Sequence, residues 1–371
     1  MPLQHAFNTS TDNGNGNWPD LDWTQSNGLA DPKIIEIRGD AQNIQKQLNR
    51  SVWNGNIMQR STRQNMGESF SKTLLWEISK AGEQTRQLFQ NTLQNLTETT
   101  QQTMLQQQQL AAMLAIDLMD RNLYERANDC RWWSLTDTLE NALLKPTDKE
   151  QAQAAEDCLK YINSLYTVYT DVLLISPKGL VLANSGEKNL QGTHIQAPWI
   201  DETLKLRDQE EYIVSDFAPS ELYQDRPTYI YCAALYNNRH TPTKALGVIA
   251  LVFDSEPQFE AILNDSRPCG IDSLAYIVDP TGAVVSSNTE RFIENGKLRL
   301  ELPPEATAHT RNASGSSLIQ IDGIYYALGY SHSGQYREYK DSDCSYQNNL
   351  SCFYLTPLAP ELSHTNGIKK H

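Results

Sequence analysis

Two stretches of this chain, about a hundred residues apart, carry the same local instructions. The first, Val172 to Ser185, reads Val-Leu-Leu-Ile-Ser-Pro-Lys-Gly-Leu-Val-Leu-Ala-Asn-Ser. The second, Tyr276 to Asn288, reads Tyr-Ile-Val-Asp-Pro-Thr-Gly-Ala-Val-Val-Ser-Ser-Asn. In each, a β-rich apolar run meets a Pro-x-Gly turn and a second apolar run follows, which predicts a hairpin. Pro280 stands for Pro177, Gly282 for Gly179 and Val284 for Val181, the proline presetting φ and the glycine free to take φ > 0. Matching turn chemistry at that spacing predicts a duplicated small α/β unit rather than one undivided sheet.

The 371 residues suffice for two or three domains. With 39% hydrophobic residues, part of the length is expected in exposed helix or tail. The net charge of -14, without a basic block, argues against nucleic acid and anionic membrane surfaces as partners. No apolar run reaches the about 18 residues of a membrane span, Ala111 to Met119 being interrupted by Asp117. The start of the chain lacks a basic segment followed by an apolar core, so the expectation is a soluble cytoplasmic protein. Its six cysteines contain no Cys-x-x-Cys and are expected to be reduced, with a Cys344–Cys352 bridge as the less favoured alternative.

Residues 1–30 have the composition of a disordered tail, with Trp18 and Trp23 isolated in it. A linker at 31–57 includes a brief alternation at Ile34, Ile35 and Ile37 that would suit a short strand. From 58 to 145 the period becomes helical, with Leu74, Ile78, Ala81, Leu88, Thr92, Leu96, Thr103, Leu110 and Leu114 in steps of three, four or seven. This predicts one long coiled-coil-like helix, or two joined near Gly82; continuous to Leu144 it would span on the order of 100 Å. No small domain can bury such a rod, which must pack on a second copy, on itself or on a partner. Lys145-Pro146 ends the period, and a helix is expected from Ala152 to Ser164. The first α/β unit is expected over 146–265, the second over 266–358, and a tail over 359–371. Strands are expected at Tyr212–Phe217, Tyr229–Leu235 and Ala245–Phe253, with helical pieces at Pro198–Arg207 and Ser255–Asn264. The fold class is therefore α+β: a long N-terminal helix followed by two units with antiparallel sheets.

This order of elements, with both units opened by apolar-Asp/Ser-Pro-x-Gly-x-Val, resembles the double Cache sensor domain of bacterial chemoreceptors and sensor kinases over about Asp120 to Leu358. Met119 to Trp133, Asn163 to Asp171, Val252 to Phe259 and Tyr336 to Lys340 look more narrowly like soluble Cache proteins linked to chemotaxis. The resemblance implies PAS-like units, a small ligand in the first, and chemotaxis signalling proteins as partners. The family's amino-acid pattern places an Arg two residues before a Trp-Tyr pair. Here Trp199 fits the Trp, while Ala197 and Ile200 stand where the Arg and Tyr would be. Asp216 and Asp254 fall where the family's acidic residues lie. With Trp199, Phe217, Tyr229 and Tyr231 they would suit an amine rather than a free amino acid.

Each candidate has a plainer role as well. Asp254 precedes Ser-Glu-Pro and an apolar helix, a capping context, and Asp216 suits a turn. Tyr229 and Tyr231 alternate with Ile230 and Cys232, as core or surface aromatics also would. Arg131 and Trp132, beside Arg126 and Trp133, read first as a joint between helix and sheet and second as ligand contacts; Tyr169 joins the ligand candidates through the quoted stretch that contains it. His194, His240, His309 and His332 are too scattered for a metal or catalytic set, and neither Gly-x-Ser-x-Gly nor a phosphate loop occurs. The expectation is thus a non-catalytic sensor, homodimeric through the long helix and without metal or cofactor. The alternative is a dimerising scaffold whose Cache pocket is empty.

Overall fold

The computed structural model describes residues 68–237, 244–308, 310–311, 313–334 and 348–360, with scattered positions between 36 and 54. Helix α1 (Glu68–Trp133) runs unbroken through Gly82 for 66 residues. It does not continue to Leu144. Leu135 N–H turns back to Trp132 O and Thr136 N–H to Trp133 O, both at 3.1 Å, and a separate α2 (Asp137–Leu144) begins. The turn has a packing cause, because it brings Leu139, Ala142 and Leu143 of α2 into the core. Gly247 makes room for that helix, since a Cβ there would overlap the Leu143 side chain. Helix α3 (Lys149–Ser164) starts at Asp148, whose carboxylate accepts from Glu150 N–H at 3.0 Å.

The first unit then gives β1 (Tyr169–Ile175), β2 (Val181–Asn184), α4 (Pro198–Thr203), β3 (Ile213–Val214), β4 (Ala218–Ser220), β5 (Arg226–Thr228), β6 (Ile230–Tyr236) and β7 (Ala245–Phe253). Helix α5 (Ser255–Asp265) leads to β8 (Leu274–Val278), β9 (Val284–Ser287), β10 (Ile293–Glu294), β11 (Lys297–Leu298), α6 (Pro304–Thr307), β12 (Ser314–Ile321), β13 (Ile324–His332) and β14 (Ser351–Pro360). The strand expected over Tyr212–Phe217 shortens to two residues, because the chain leaves for the unforeseen β4–β5 hairpin. Of the strand expected near Ile34, Glu36 is helical; Trp18, Trp23 and Cys344 lie outside the described residues. Cys352 is a buried free thiol.

Sheet 1 has the order β2-β1-β7-β6-β3 and sheet 2 the order β9-β8-β14-β13-β12. When only the five strands of each sheet are numbered along the chain, both orders are 2-1-5-4-3, and all ladder pairs are antiparallel. The correspondence reaches single hydrogen bonds. Gly179 N–H closes on Ser176 O at 2.9 Å and Gly282 N–H on Asp279 O at 3.0 Å, with φ of 79° and 78°. After the hairpin, Ser185 Oγ accepts from Val172 N–H and Asn288 Oδ1 from Ala275 N–H, each at 2.8 Å. Pro177 and Pro280 therefore occupy the same corner of two copies of one unit.

One face of each sheet turns toward α1. Ala112, Ala115, Ile116, Met119, Leu123 and Ala127 of α1 join Leu174, Tyr231, Ile249 and Leu251 of sheet 1 and Ile277, Cys352 and Tyr354 of sheet 2 in one continuous core. Helix α5 closes it with Phe259, Ile262 and Leu263, and Tyr354 OH donates to Leu263 O at 2.9 Å. The outer faces hold separate cores, Leu173, Trp199 and Val248 among others in sheet 1 and Tyr276, Tyr326 and Phe353 in sheet 2. No described helix is long and apolar enough to cross a membrane.

Candidate functional site

Alternation along a strand sends successive side chains to opposite faces. It therefore divides the candidate residues. Trp199, at the second position of the proline-started α4, packs into the outer core of sheet 1 with Ile230 and Cys232. Tyr231 points the other way, into the core shared with α1, where Tyr229 and Phe217 pack beside it. Ring centroids are 5.0 Å apart for Phe217 and Tyr229, 6.4 Å for Tyr229 and Tyr231, and 6.0 Å for Phe217 and Phe259. The structure thus gathers Phe217, Tyr229 and Tyr231 into one aromatic cluster but leaves Trp199 on the far side of the sheet. Burial pushes the Tyr229 hydroxyl up.

Asp254 ends β7 and stands at the N-cap of α5, yet its side chain makes no capping bond. It accepts instead from the Tyr223 hydroxyl, Oδ1 at 2.5 Å. A short 3-10 turn, Glu221–Tyr223, carries this tyrosine inward. Ser220 Oγ accepts from Leu222 N–H at its start, and Gln224 and Asp225 follow in left-handed conformation with φ of 58° and 59°. Tyr223 belongs to the same outer core as Trp199, and its hydroxyl is pushed up to about 12 by burial first and then by its bond to Asp254. Arg226 stacks 4.0 Å over the Tyr223 ring and pairs with Glu256. Asp216 is exposed, in the loop after β3.

The end of α1 holds the remaining candidates. Arg131 donates to Ala127 O and Glu210 O, each at 3.2 Å, and to Asn128, while its guanidinium lies 5.4 Å from the Tyr212 ring. Trp132 is 77% exposed, whereas Trp133 is buried edge-on to Tyr169 at 5.4 Å. Tyr169 donates from its hydroxyl to Asp129 Oδ2 at 2.5 Å under the buried guanidinium of Arg126, 5.3 Å from its ring. Burial raises both the Tyr169 hydroxyl and the Asp129 carboxyl. These contacts tie the end of α1 to sheet 1.

Sequence reasoning missed Tyr223, Arg226, Asp120 and Asp171. Nothing in the sequence marked Tyr223, because the left-handed turn at Gln224–Asp225 behind it shows only in the backbone. Asp171 is buried at the start of β1, where it accepts from Ser185 N–H at 3.0 Å, Gly186 N–H at 2.6 Å and Asn184 Nδ2 at 3.0 Å, clamping β1 to the loop after β2. Among the described residues no group of three or more His, Cys, Asp or Glu side chains could hold a metal ion. A groove of about 880 Å³ lies between the first unit, α5 and β9, with Phe217 in its wall.

No protein-family model matches the chain, and no curated protein matches it. Solved structures do. The ligand-binding domain of the Campylobacter jejuni chemoreceptor Tlp3, in complex with 4-methylisoleucine, matches with a TM-score of 0.50 and 12% identity, covering 69% of this chain and 92% of that one. The extracellular domain designated vpHK1S-Z8 matches with the same score and identity, covering 71% and 93%. The V. cholerae histidine kinase DctB sensor domain gives a TM-score of 0.46 at 14% identity, covering 69% and 98%. Two units of one strand order set on a single long helix, matched at a TM-score of 0.50, give this chain the fold of the Tlp3 ligand-binding domain.

Proposed function

We propose that the chain is a non-catalytic sensory module that takes a small molecule, an amine or an amino-acid-like compound, on the outer side of sheet 1. The single observation that carries this is the division of that sheet into two faces. Trp199 and the Tyr223–Asp254 pair lie on the outer one, and the strands between them have their other side against α1. A ligand near Asp254 changes the end of β7, from which both α5 and the shared core begin. It can shift the packing of α1 only by its differential affinity for two arrangements of that core. Tyr169, Phe217, Tyr229 and Tyr231 then act in the relay, with Arg131 and Trp132 at its α1 end and Asp216 exposed in the loop after β3.

Dimerisation follows from the stripe the sequence displays on α1. Leu74, Leu88, Leu96, Leu110 and Leu114 are 42–69% exposed, and they lie off the face that meets the sheets. Thr92 and Thr103 satisfy their hydroxyls on the carbonyls four residues back, which leaves the stripe free for a second copy. The free thiols Cys130, Cys158, Cys232, Cys269 and Cys352 support a reducing, cytoplasmic setting, with chemotaxis proteins receiving the output. The same leucine stripe favours the second reading, a dimerising scaffold.

Thermal-shift screening of the full chain against amines and amino acids separates the two, since a ligand of the folded state raises the midpoint by linkage. Asp254→Asn, which keeps the acceptor for Tyr223 and removes the charge, should abolish the shift for a cationic ligand. Intact dimers with no shift from any compound would leave the scaffold.

A further inference from the structure

β9 is an outer strand of sheet 2, and the groove of about 880 Å³ runs along it, with Phe217 and Phe259 on the facing wall. The two copies of the repeat finish this strand edge differently. Along β2 the following loop turns back. Val181 N–H donates to Thr193 O and Gly192 N–H to Val181 O, both at 2.9 Å, and Gln191 Nε2 reaches Leu182 O at 3.1 Å. Along β9 the equivalent loop covers only the first position, where Val284 N–H meets Gly296 O at 2.8 Å. Further on, Asn288 N–H points inward to Ala275 O at 3.2 Å. The alternation of an antiparallel ladder therefore turns the N–H and C=O of Ser287 outward. Among the described residues no main-chain group takes them.

The charge on the groove is also unfinished. Six charged side chains line it; Arg226 pairs with Glu256 and Arg267 with Asp272, which leaves Glu260 and Glu290 without a cation among the described residues. The outward main-chain donor and acceptor of Ser287 beside apolar walls match the recognition chemistry of strand addition, and the leftover carboxylates set its sign. We propose that β9 accepts an extended lysine- or arginine-bearing segment of a partner protein as a further strand of sheet 2. Glu260 and Glu290 pair with its cations, and the half-buried Phe217 receives its apolar side chains. This surface is distinct from the outer side of sheet 1, so either can fail without the other.

Fluorescence anisotropy of a labelled peptide of alternating lysine and valine, titrated with the full chain, tests it. The lysine peptide should bind, a glutamate–valine peptide should not, and E260K with E290K should reverse that preference. Ser287→Pro removes an outward N–H without touching the ladder and should weaken binding about tenfold. If that variant does not fold, N-methylation of alternate peptide amides makes the same cut from the other side and should weaken binding equally. Absence of saturable binding would overturn the proposal, and so would binding that withstands both the proline and the N-methyl groups.

Discussion

Gly329 of β13 lies directly against the backbone of Gln108 in α1: a Cβ on the glycine would overlap the Gln108 carbonyl and the Gln109 nitrogen. Neither obstacle is a side chain that can swing aside. Gly329→Ala must therefore push helix from sheet, and it should destabilise the chain by about 1–3 kcal/mol in urea unfolding. A variant as stable as the parent would mean that helix and sheet are less closely seated.

The same contact is unexpectedly polar. Gln101 and Gln108 are fully buried, and neither amide has a hydrogen-bond partner among the described residues. Gln109 beside them meets Ser314 and Ser316 at 3.4 Å. Replacing Gln101 or Gln108 with the similarly sized methionine removes an unsatisfied amide and should stabilise by about 1 kcal/mol each. Destabilisation on the same scale would show that water satisfies these groups.

Asp120 ties α1 to both ends of the β13–β14 connection, accepting from Ser333 Oγ at 2.7 Å, Gly334 N–H at 3.1 Å and Asn348. Burial raises its carboxyl from 3.8 to about 6, against the lowering effect of those bonds. Between those values the folded chain holds a proton that the unfolded chain has released. The stability contributed by Asp120 is thus present below pH about 4 and lost as pH rises through about 6. At about 1.4 kcal/mol per unit the full change is about 3 kcal/mol. Asp120→Asn should flatten the dependence of the urea midpoint over this range, and an unchanged slope would assign it to other acids.

Tyr223→Phe removes the donor to Asp254 and should cost about 1.5–3 kcal/mol, the range for bonds to charged groups. In a double-mutant cycle with Asp254→Ala the two losses should not add. Additive losses would mean that the 2.5 Å contact contributes little to holding the 3-10 turn.

The repeat was legible because its turns are written in Pro177, Gly179, Pro280 and Gly282, residues whose backbone preferences are local. The long helix was legible in its leucines, but these form the exposed stripe. The face that meets the sheets begins with Gln101 and Gln108, which carry no apolar signal, and its apolar part, Ala112, Ala115, Ile116, Met119 and Leu123, runs alongside the leucine stripe. The stop at Trp133 was hidden for a related reason, since Leu135, Leu139 and Leu143 keep helical spacing across a turn made by tertiary packing. At the site, aromatic and acidic residues were recognisable by type. Which side of sheet 1 each one faced depended on register, so Trp199 and Tyr231 were grouped although the sheet separates them.

Hydrogen–deuterium exchange on the full chain, with and without a compound that raises the melting midpoint, tests most directly whether the first unit reports to the helix. The account predicts altered protection around Asp254 and Tyr223 together with altered protection in α1 from Gln101 to Met119, where it crosses sheet 2. Changes confined to the first unit, with α1 untouched, would contradict it.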